Sequence, residues 1–111
     1  MKNLKQIVNG VLHTSLGWVK GSVVYADGKI VEVKNDNEVV EGAEVIDAEG
    51  GYVVPGGVEL HVHGGGGHDF TEGDEEDYRK AVHAHLIHGT TSIYPTLMST
   101  TAENIRRTAE I

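Results

Sequence analysis

The first half of the chain alternates short β-branched runs with Gly- and Asn-rich breaks, which is typical of strands joined by tight turns. The clearest pair joins residues 22–25 to residues 29–33 through Asp27-Gly28, a dipeptide that two-residue hairpin turns favour. Further short strands with the same β-branched composition are predicted at residues 7–8, 11–12, 18–19, 45–47 and 52–54. We therefore predict a small antiparallel β module over residues 1–55.

The character of the chain changes after Pro55, where a strand is followed by a helix. Polar and apolar positions alternate over residues 58–63, which predicts a strand, and four glycines follow at residues 64–67. The acidic run 74–77 then precedes four apolar positions that share one helical face, as expected for an amphipathic helix whose acids favour its amino end. Those apolar positions are Tyr78, Ala81, Val82 and Leu86. We expect this helix to end at His88 and Gly89.

A second strand and a second helix complete the chain. Residues 90–97 predict a strand with Pro95 near its end, because proline cannot donate to a strand ladder. Thr100 and Glu103 have the spacing of a capping box, and we expect the helix to continue to Ile111. The order β-α-β-α predicts parallel strands with crossover helices. Two such units do not close a sheet, so residues 56–111 are expected to belong to a longer α/β protein.

Length, charge and composition exclude several classes. The chain has 111 residues, whereas a complete (β/α)8 barrel needs about 250. The formal net charge of −8 argues against a nucleic-acid or anionic-membrane surface. The absence of cysteine excludes disulfides and thiolate metal ligands. No apolar stretch approaches the 18 residues of a membrane span or forms a signal peptide, so we predict a cytoplasmic protein.

His61 and His63 are the candidate metal ligands. Residues i and i+2 of a strand point to one face, about 6.5–7 Å apart at Cα, so two imidazoles can converge on one ion. With 7 histidines in the chain, such a pair arises by chance about 0.4 times, so the spacing alone is weak. His83 and His85 have the same spacing, but on a helix they lie about 200° apart and we expect solvated residues.

The glycine run 64–67 permits two interpretations. It is either a flexible linker or a loop that offers backbone N–H groups to an anionic or sugar ligand. It is no phosphate-cradling P-loop, because Gly-Lys-Ser/Thr does not follow. At His68 we expect a solvated loop histidine, with a place in the site as the alternative. His13 is expected to be structural and His88 to lie at a helix end.

Residues 52–64, Tyr-Val-Val-Pro-Gly-Gly-Val-Glu-Leu-His-Val-His-Gly, resemble the P-G-x-x-D-x-H-x-H barrel entry of the amidohydrolase superfamily. Residues 64–70 and 88–97 are similar to its N-acetylglucosamine-6-phosphate deacetylase family. The resemblance implies a (β/α)8 barrel with a small β domain, of which residues 56–111 supply the first two β/α units. It implies metal-dependent conversion of an N-acetylated amino-sugar phosphate to glucosamine 6-phosphate and acetate. His61 and His63 would ligate a divalent metal ion, Zn or Fe, and we expect the full-length protein to be a homo-oligomer.

Two departures limit what the resemblance carries over. Glu59 stands where the superfamily usually has Asp, and its longer side chain can orient the site differently. The family's other metal ligands and its catalytic Asp come from later strands, so we assign no catalytic residue here and predict that the chain alone is inactive. Substrate-binding residues stay unassigned. The alternatives are a dihydroorotase-like or dipeptidase-like amidohydrolase, or a non-catalytic metal-binding or interaction module.

Overall fold

A computed structural model describes residues 3–111 and divides the chain into two compact units, one ending at Pro55 and one spanning Gly56–Ile111. The strands of the first unit are β1 (Lys5–Thr14), β2 (Gly17–Ala26), β3 (Lys29–Lys34), β4 (Glu44–Asp47) and β5 (Tyr52–Val53). The second unit contains β6 (Gly57–Val62), β7 (Gly64–Gly65), β8 (His68–Asp69), α1 (Glu75–Leu86), β9 (Thr90–Pro95) and α2 (Ala102–Ala109). The predicted mixed α/β architecture with a β-rich amino-terminal part is confirmed.

The first unit is a mixed sheet, so the prediction of a purely antiparallel module is wrong. Strands follow the order β3-β2-β1-β4, with β5 also paired to β1. β1 is antiparallel to β2 but parallel to both β4 and β5. The physical reason is the connection over residues 35–43, which returns the chain to the start of β1. Gln6, fully buried, donates to Glu38 O at 2.9 Å and accepts from Val40 N at 2.8 Å, which holds that connection in place.

The predicted hairpin at Asp27-Gly28 and the predicted separation of the strands at residues 7–8 and 11–12 have different outcomes. The hairpin at Asp27-Gly28 is confirmed: both residues have positive φ, +50° and +77°, and join β2 to β3 in a type I′ geometry. Asn9-Gly10 does not separate two strands, because β1 runs through it with a bulge between Ile7 and Gly10. Asn9 accepts the left-handed conformation, φ +55°, that such an irregularity requires.

The second unit contains the predicted parallel pair. β6 pairs with β9, and α1 forms the crossover between them. Asp74 caps α1 by accepting from Asp77 N at 3.0 Å, while the Asp77 side chain accepts from Asp74 N at 3.0 Å. Helix α1 ends at Leu86, and Gly89 follows with φ +96°, so the predicted glycine stop lies just beyond the helix. Within residues 3–111 this pair of strands does not close into a barrel.

Helix α2 corrects two predictions about its ends. Its amino-terminal cap is Thr101, which accepts from Asn104 N at 3.2 Å, and not the predicted Thr100–Glu103 pair. Thr100 Oγ1 instead accepts from the Asn104 side chain at 3.1 Å. The helix ends at Ala109 and does not continue to Ile111. No helix in residues 3–111 has the length and apolar character needed to cross a membrane.

Candidate metal centre

The two predicted ligands lie together at the carboxyl end of β6. His61 belongs to the strand and His63 follows it directly, so the strand's alternation directs both imidazoles to the same face. Their Nε2 atoms are 3.3 Å apart, and the two rings are perpendicular with centroids separated by 5.0 Å. The structure therefore brings together the two atoms that a shared metal ion would need.

His63 is held by the neighbouring strand of the parallel pair. Its Nδ1 lies 2.9 Å from the carbonyl oxygen of Thr96, directly after β9. A carbonyl oxygen only accepts hydrogen bonds, so in the neutral ring Nδ1 carries the proton and Nε2 has the lone pair. His63 is half-buried, whereas His61 is exposed.

Thr96 was not singled out by sequence reasoning, although it determines how the ends of β6 and β9 meet. Its N–H donates to Val62 O at 2.8 Å, and its Oγ1 accepts from Val62 N at 3.2 Å. Pro95 occupies the last position of β9, as predicted, and has no N–H to offer. The signal for Thr96 in the sequence was only its place beside that proline.

Glu59 lies on the same face of β6, two residues before His61. Its Oε1 is 3.4 Å from the backbone nitrogen of His61, so the carboxylate turns towards its own strand. Within residues 3–111 no cluster of three or more His, Asp or Glu side chains is arranged to hold a metal ion. The described part of the chain therefore supplies two candidate ligands and not a complete set.

The glycine run after His63 is an ordered hairpin and not a flexible linker. β7 and β8 pair as Gly64↔Asp69 and Gly65↔His68, and Gly66 and Gly67 form the turn with φ +59° and +86°. Phe70, fully buried directly after β8, donates its N–H to His63 O at 2.8 Å. Its ring packs against Tyr78 of α1, with centroids 4.8 Å apart. Burial raises the pKa of the Tyr78 phenol.

Two histidines attach this hairpin to α1. His68 Nδ1 lies 2.7 Å from Asp77 Oδ1, and His85 Nε2 lies 2.9 Å from Gly64 O. The hydrogen bond from His68, and after it the Asp74 N–H, lower the pKa of the Asp77 carboxyl below its usual value. The expectation of solvated residues is therefore wrong for His68 and His85.

His83, His88 and His13 lie as the sequence predicted. His83 is exposed on α1, and His88 is exposed just beyond the end of that helix. His13 packs edge-on against Trp18, with ring centroids 4.8 Å apart, which is the structural role that was predicted.

A polar network that sequence reasoning missed anchors the segment after the hairpin to α2. Asn104 Nδ2 donates to Thr71 O at 2.7 Å, and Arg107 donates to Gly73 O at 3.0 Å. Thr71 Oγ1 accepts from Met98 N at 2.8 Å. These side chains form an ordinary polar helix face in the sequence, so nothing distinguished them before the fold was known.

No protein-family model matches the chain. It is 33% identical to D-hydantoinase of Geobacillus stearothermophilus over 110 residues, which is 96% of this chain and 22% of that protein. It is 39% identical to dihydroorotase of Bacillus pumilus over 57 residues, which is 51% of this chain and 13% of that protein. The chain thus spans about a fifth or less of the length of these relatives.

Among solved structures, the chain is similar to N-acetylglucosamine-6-phosphate deacetylase from Pasteurella multocida. The TM-score is 0.88 and the identity 26%, over 96% of this chain and 29% of that one. Similarity to a deacetylase in structure, and to a hydantoinase and a dihydroorotase in sequence, supports assignment of the chain to the amidohydrolase superfamily.

Proposed function

We propose that this chain contributes two ligands, His61 and His63, to the divalent metal site of a larger amide-hydrolysing enzyme. The observation that carries the proposal is the 3.3 Å separation of the two Nε2 atoms, together with the hydrogen bond between His63 Nδ1 and Thr96 O. Two nitrogens bound to one tetrahedral zinc at 2.0–2.1 Å lie about 3.3–3.4 Å from each other. The pair therefore fits a zinc ion, and imidazole ligands suit iron as well.

A divalent metal held here would lower the pKa of a water molecule towards neutrality and polarise an amide carbonyl. His61 and His63 would bind the ion through their Nε2 atoms. The ring of His63 is fixed by its contact with Thr96 O, whereas His61 is exposed to solvent. Within residues 3–111 these two histidines have no third metal-ligating side chain beside them. The remaining ligands and the general acid or base would come from other parts of the protein, so the prediction that this chain alone is inactive stands as a prediction.

The proposed substrate is N-acetylglucosamine 6-phosphate, with glucosamine 6-phosphate and acetate as products. Support comes from the similarity in fold to the Pasteurella multocida deacetylase, which extends over both units of the chain. In this proposal, residues 56–111 are the first two β/α units of a (β/α)8 barrel, because β6 and β9 are a parallel pair joined by a crossover helix. The histidine pair then lies at the carboxyl end of a barrel strand, where such enzymes place their chemistry.

A second candidate is hydrolysis of a hydantoin or of dihydroorotate. The specific observation in its favour is the sequence identity of 33% to D-hydantoinase over 110 residues. The same histidine pair and metal would serve this reaction. The two candidates differ in the substrate and not in the role of this chain.

The metal site can be tested on the chain itself by zinc binding in isothermal titration calorimetry. His61→Ala should weaken binding at least tenfold, because only one imidazole remains at the site. His83→Ala is the matched control, since His83 is an exposed histidine on α1. Equal affinities of the two variants would show that zinc binds elsewhere.

The substrate can be tested in a longer protein that carries this chain. Release of acetate from N-acetylglucosamine 6-phosphate should be compared with opening of hydantoin and of dihydroorotate. Preference for a ring substrate would replace the first candidate by the second. Turnover of the sugar phosphate by the 111-residue chain, abolished in His61→Ala, would contradict the predicted inactivity of the chain alone.

A further inference from the structure

We propose that Thr96 is a positioning residue that presets His63 as the fixed ligand, so that only His61 changes tautomer when a metal ion binds. This inference rests on the proposed metal site and assigns unequal roles to its two histidines. Thr96 belongs to the segment after β9, 33 residues from His63 along the chain, and it reaches the site only through the parallel pairing of β6 and β9.

The contact with Thr96 fixes the tautomer of His63. The Nδ1 atom is 2.9 Å from Thr96 O, and because that oxygen has no proton, the hydrogen bond requires Nδ1–H. In the neutral ring, Nε2 is then unprotonated and carries the lone pair that a metal needs. A hydrogen bond of this kind from the far nitrogen fixes both the tautomer and the ring orientation of a ligating histidine.

Hydrogen bonds to Val62 and Tyr94 hold Thr96, and with it the Thr96 carbonyl, in place. The N–H of Thr96 donates to Val62 O at 2.8 Å. Its hydroxyl accepts from Val62 N at 3.2 Å and donates to Tyr94 O at 3.2 Å. Val62 is the residue before His63, so the hydroxyl joins the carbonyl and its histidine partner through one backbone unit. The side chain of Thr96 thereby limits the positions that its own carbonyl can take.

The contact between the two imidazoles determines which nitrogen of His61 carries the proton. With a lone pair on His63 Nε2, a contact of 3.3 Å from His61 Nε2 is attractive only if His61 Nε2 carries a proton. In the metal-free chain His61 is therefore the Nε2–H tautomer and His63 the Nδ1–H tautomer. A metal ion needs lone pairs on both Nε2 atoms, so the proton of His61 must leave Nε2 for Nδ1. His61 is exposed, so solvent can exchange that proton.

The tautomers can be read directly from imidazole nitrogen chemical shifts, by long-range 1H–15N correlation on the uniformly 15N-labelled 111-residue chain. Spectra are recorded with a chelator at about pH 8.5. We expect Nδ1–H for His63 and Nε2–H for His61. Addition of Zn²⁺ should convert His61 to Nδ1–H and leave the His63 tautomer unchanged. The signals are assigned with His61→Asn and His63→Asn.

The role of the Thr96 hydroxyl is tested with Thr96→Val, which keeps the branched shape and removes the hydrogen bonds. We expect His63 to become a mixture of tautomers and zinc affinity to fall about tenfold, the lower end of the loss when an outer partner of a ligand is removed. Thr96→Ser should restore both properties, because it keeps the hydroxyl. Thr91→Val is the matched control on β9, since Thr91 is exposed and distant from His63 in the strand register.

Each outcome decides something different. An Nε2–H tautomer for His63 in the metal-free wild-type chain would overturn the inference, and this measurement does not depend on any variant folding. A wild-type tautomer population in Thr96→Val would overturn the role of the hydroxyl. If Zn²⁺ shifts neither imidazole while the metal-free tautomers are as stated, the metal site of the proposed function is wrong and the orienting hydrogen bond stands.

Discussion

Replacement of Gly64 by alanine tests whether the glycine hairpin is as closely packed as the structure shows. A Cβ added at Gly64 would lie 2.1 Å from the carbonyl oxygen of His68, the residue next to its ladder partner Asp69. Ordinary contact begins at 3.4 Å, so the two strands must separate by about 1.3 Å. The obstacle is backbone, which cannot rotate away as a side chain would.

The expected destabilisation is about 2 kcal/mol. Forced insertion of an extra carbon into a packed site costs about 1–3 kcal/mol, and a backbone obstacle favours the upper half of that range. The loss of unfolded-state freedom from Gly to Ala offsets about 0.4–1 kcal/mol. Movement of β8 also disturbs Phe70, which is fully buried and follows that strand directly.

Urea unfolding can be followed by two signals that report on different units. Circular dichroism at 222 nm follows α1 and α2, which lie in the second unit, whereas fluorescence follows Trp18, the single tryptophan, in the first. With a slope of about 1 kcal/mol per molar urea, the helix midpoint of Gly64→Ala should fall by about 2 M.

The control for this prediction is Gly67→Ala at the turn of the same hairpin. Gly67 has φ +86° and nothing within 4 Å of an added Cβ, so only the left-handed backbone penalty of about 1–2 kcal/mol applies, less the same entropic offset. Gly64→Ala should therefore be the less stable of the two. A helix midpoint for Gly64→Ala equal to that of the wild type would refute the close packing of β7 on β8.

Three further predictions concern the same two units. Phe70→Ala should lower the stability of the helix transition by about 3–5 kcal/mol because the ring is fully buried, and a loss below about 1 kcal/mol would contradict its place in the core. Asp77→Asn should be less stable than the wild type at pH 7, as judged by thermal melts of the helix signal. The hydrogen bond from His68 lowers the pKa of Asp77 in the folded chain below its ordinary value of 3.8. The ionised carboxylate therefore stabilises the fold above pH 3.8, and this stabilisation is lost as the pH falls through the lower pKa of the folded state. The difference between Asp77→Asn and the wild type should therefore shrink below about pH 3.8, and a constant difference from pH 7 to pH 3 would show that the charge is not responsible. Gly28→Ala should cost about 1–2 kcal/mol in the Trp18 transition, less the same entropic offset, because φ is +77° with open space around the site. An unchanged transition would argue against the type I′ turn.

Local features of this fold could be predicted because they depend on neighbours in the sequence. The turn at Asp27-Gly28 needs two residues that accept positive φ, and the pair supplies them. The common face of His61 and His63 follows from the two-residue period of a strand. Helix α1 carries its start signal in the acidic run that contains Asp74. Each of these is decided within a few residues, so no knowledge of the fold is needed.

By itself, the sequence determined the hairpin of β2 and β3, the strand–helix–strand order of β6, α1 and β9, and the common face of His61 and His63. Only the tertiary structure decided that β4 and β5 run parallel to β1. For β4, the connection that returns the chain is held by buried Gln6, whose partners lie more than 30 residues away. The tertiary structure also decided that Thr96 orients His63 and that His68 and His85 hold the glycine hairpin. Periodicity determines the face on which a side chain lies, but the partner that meets it there depends on where a distant part of the chain returns.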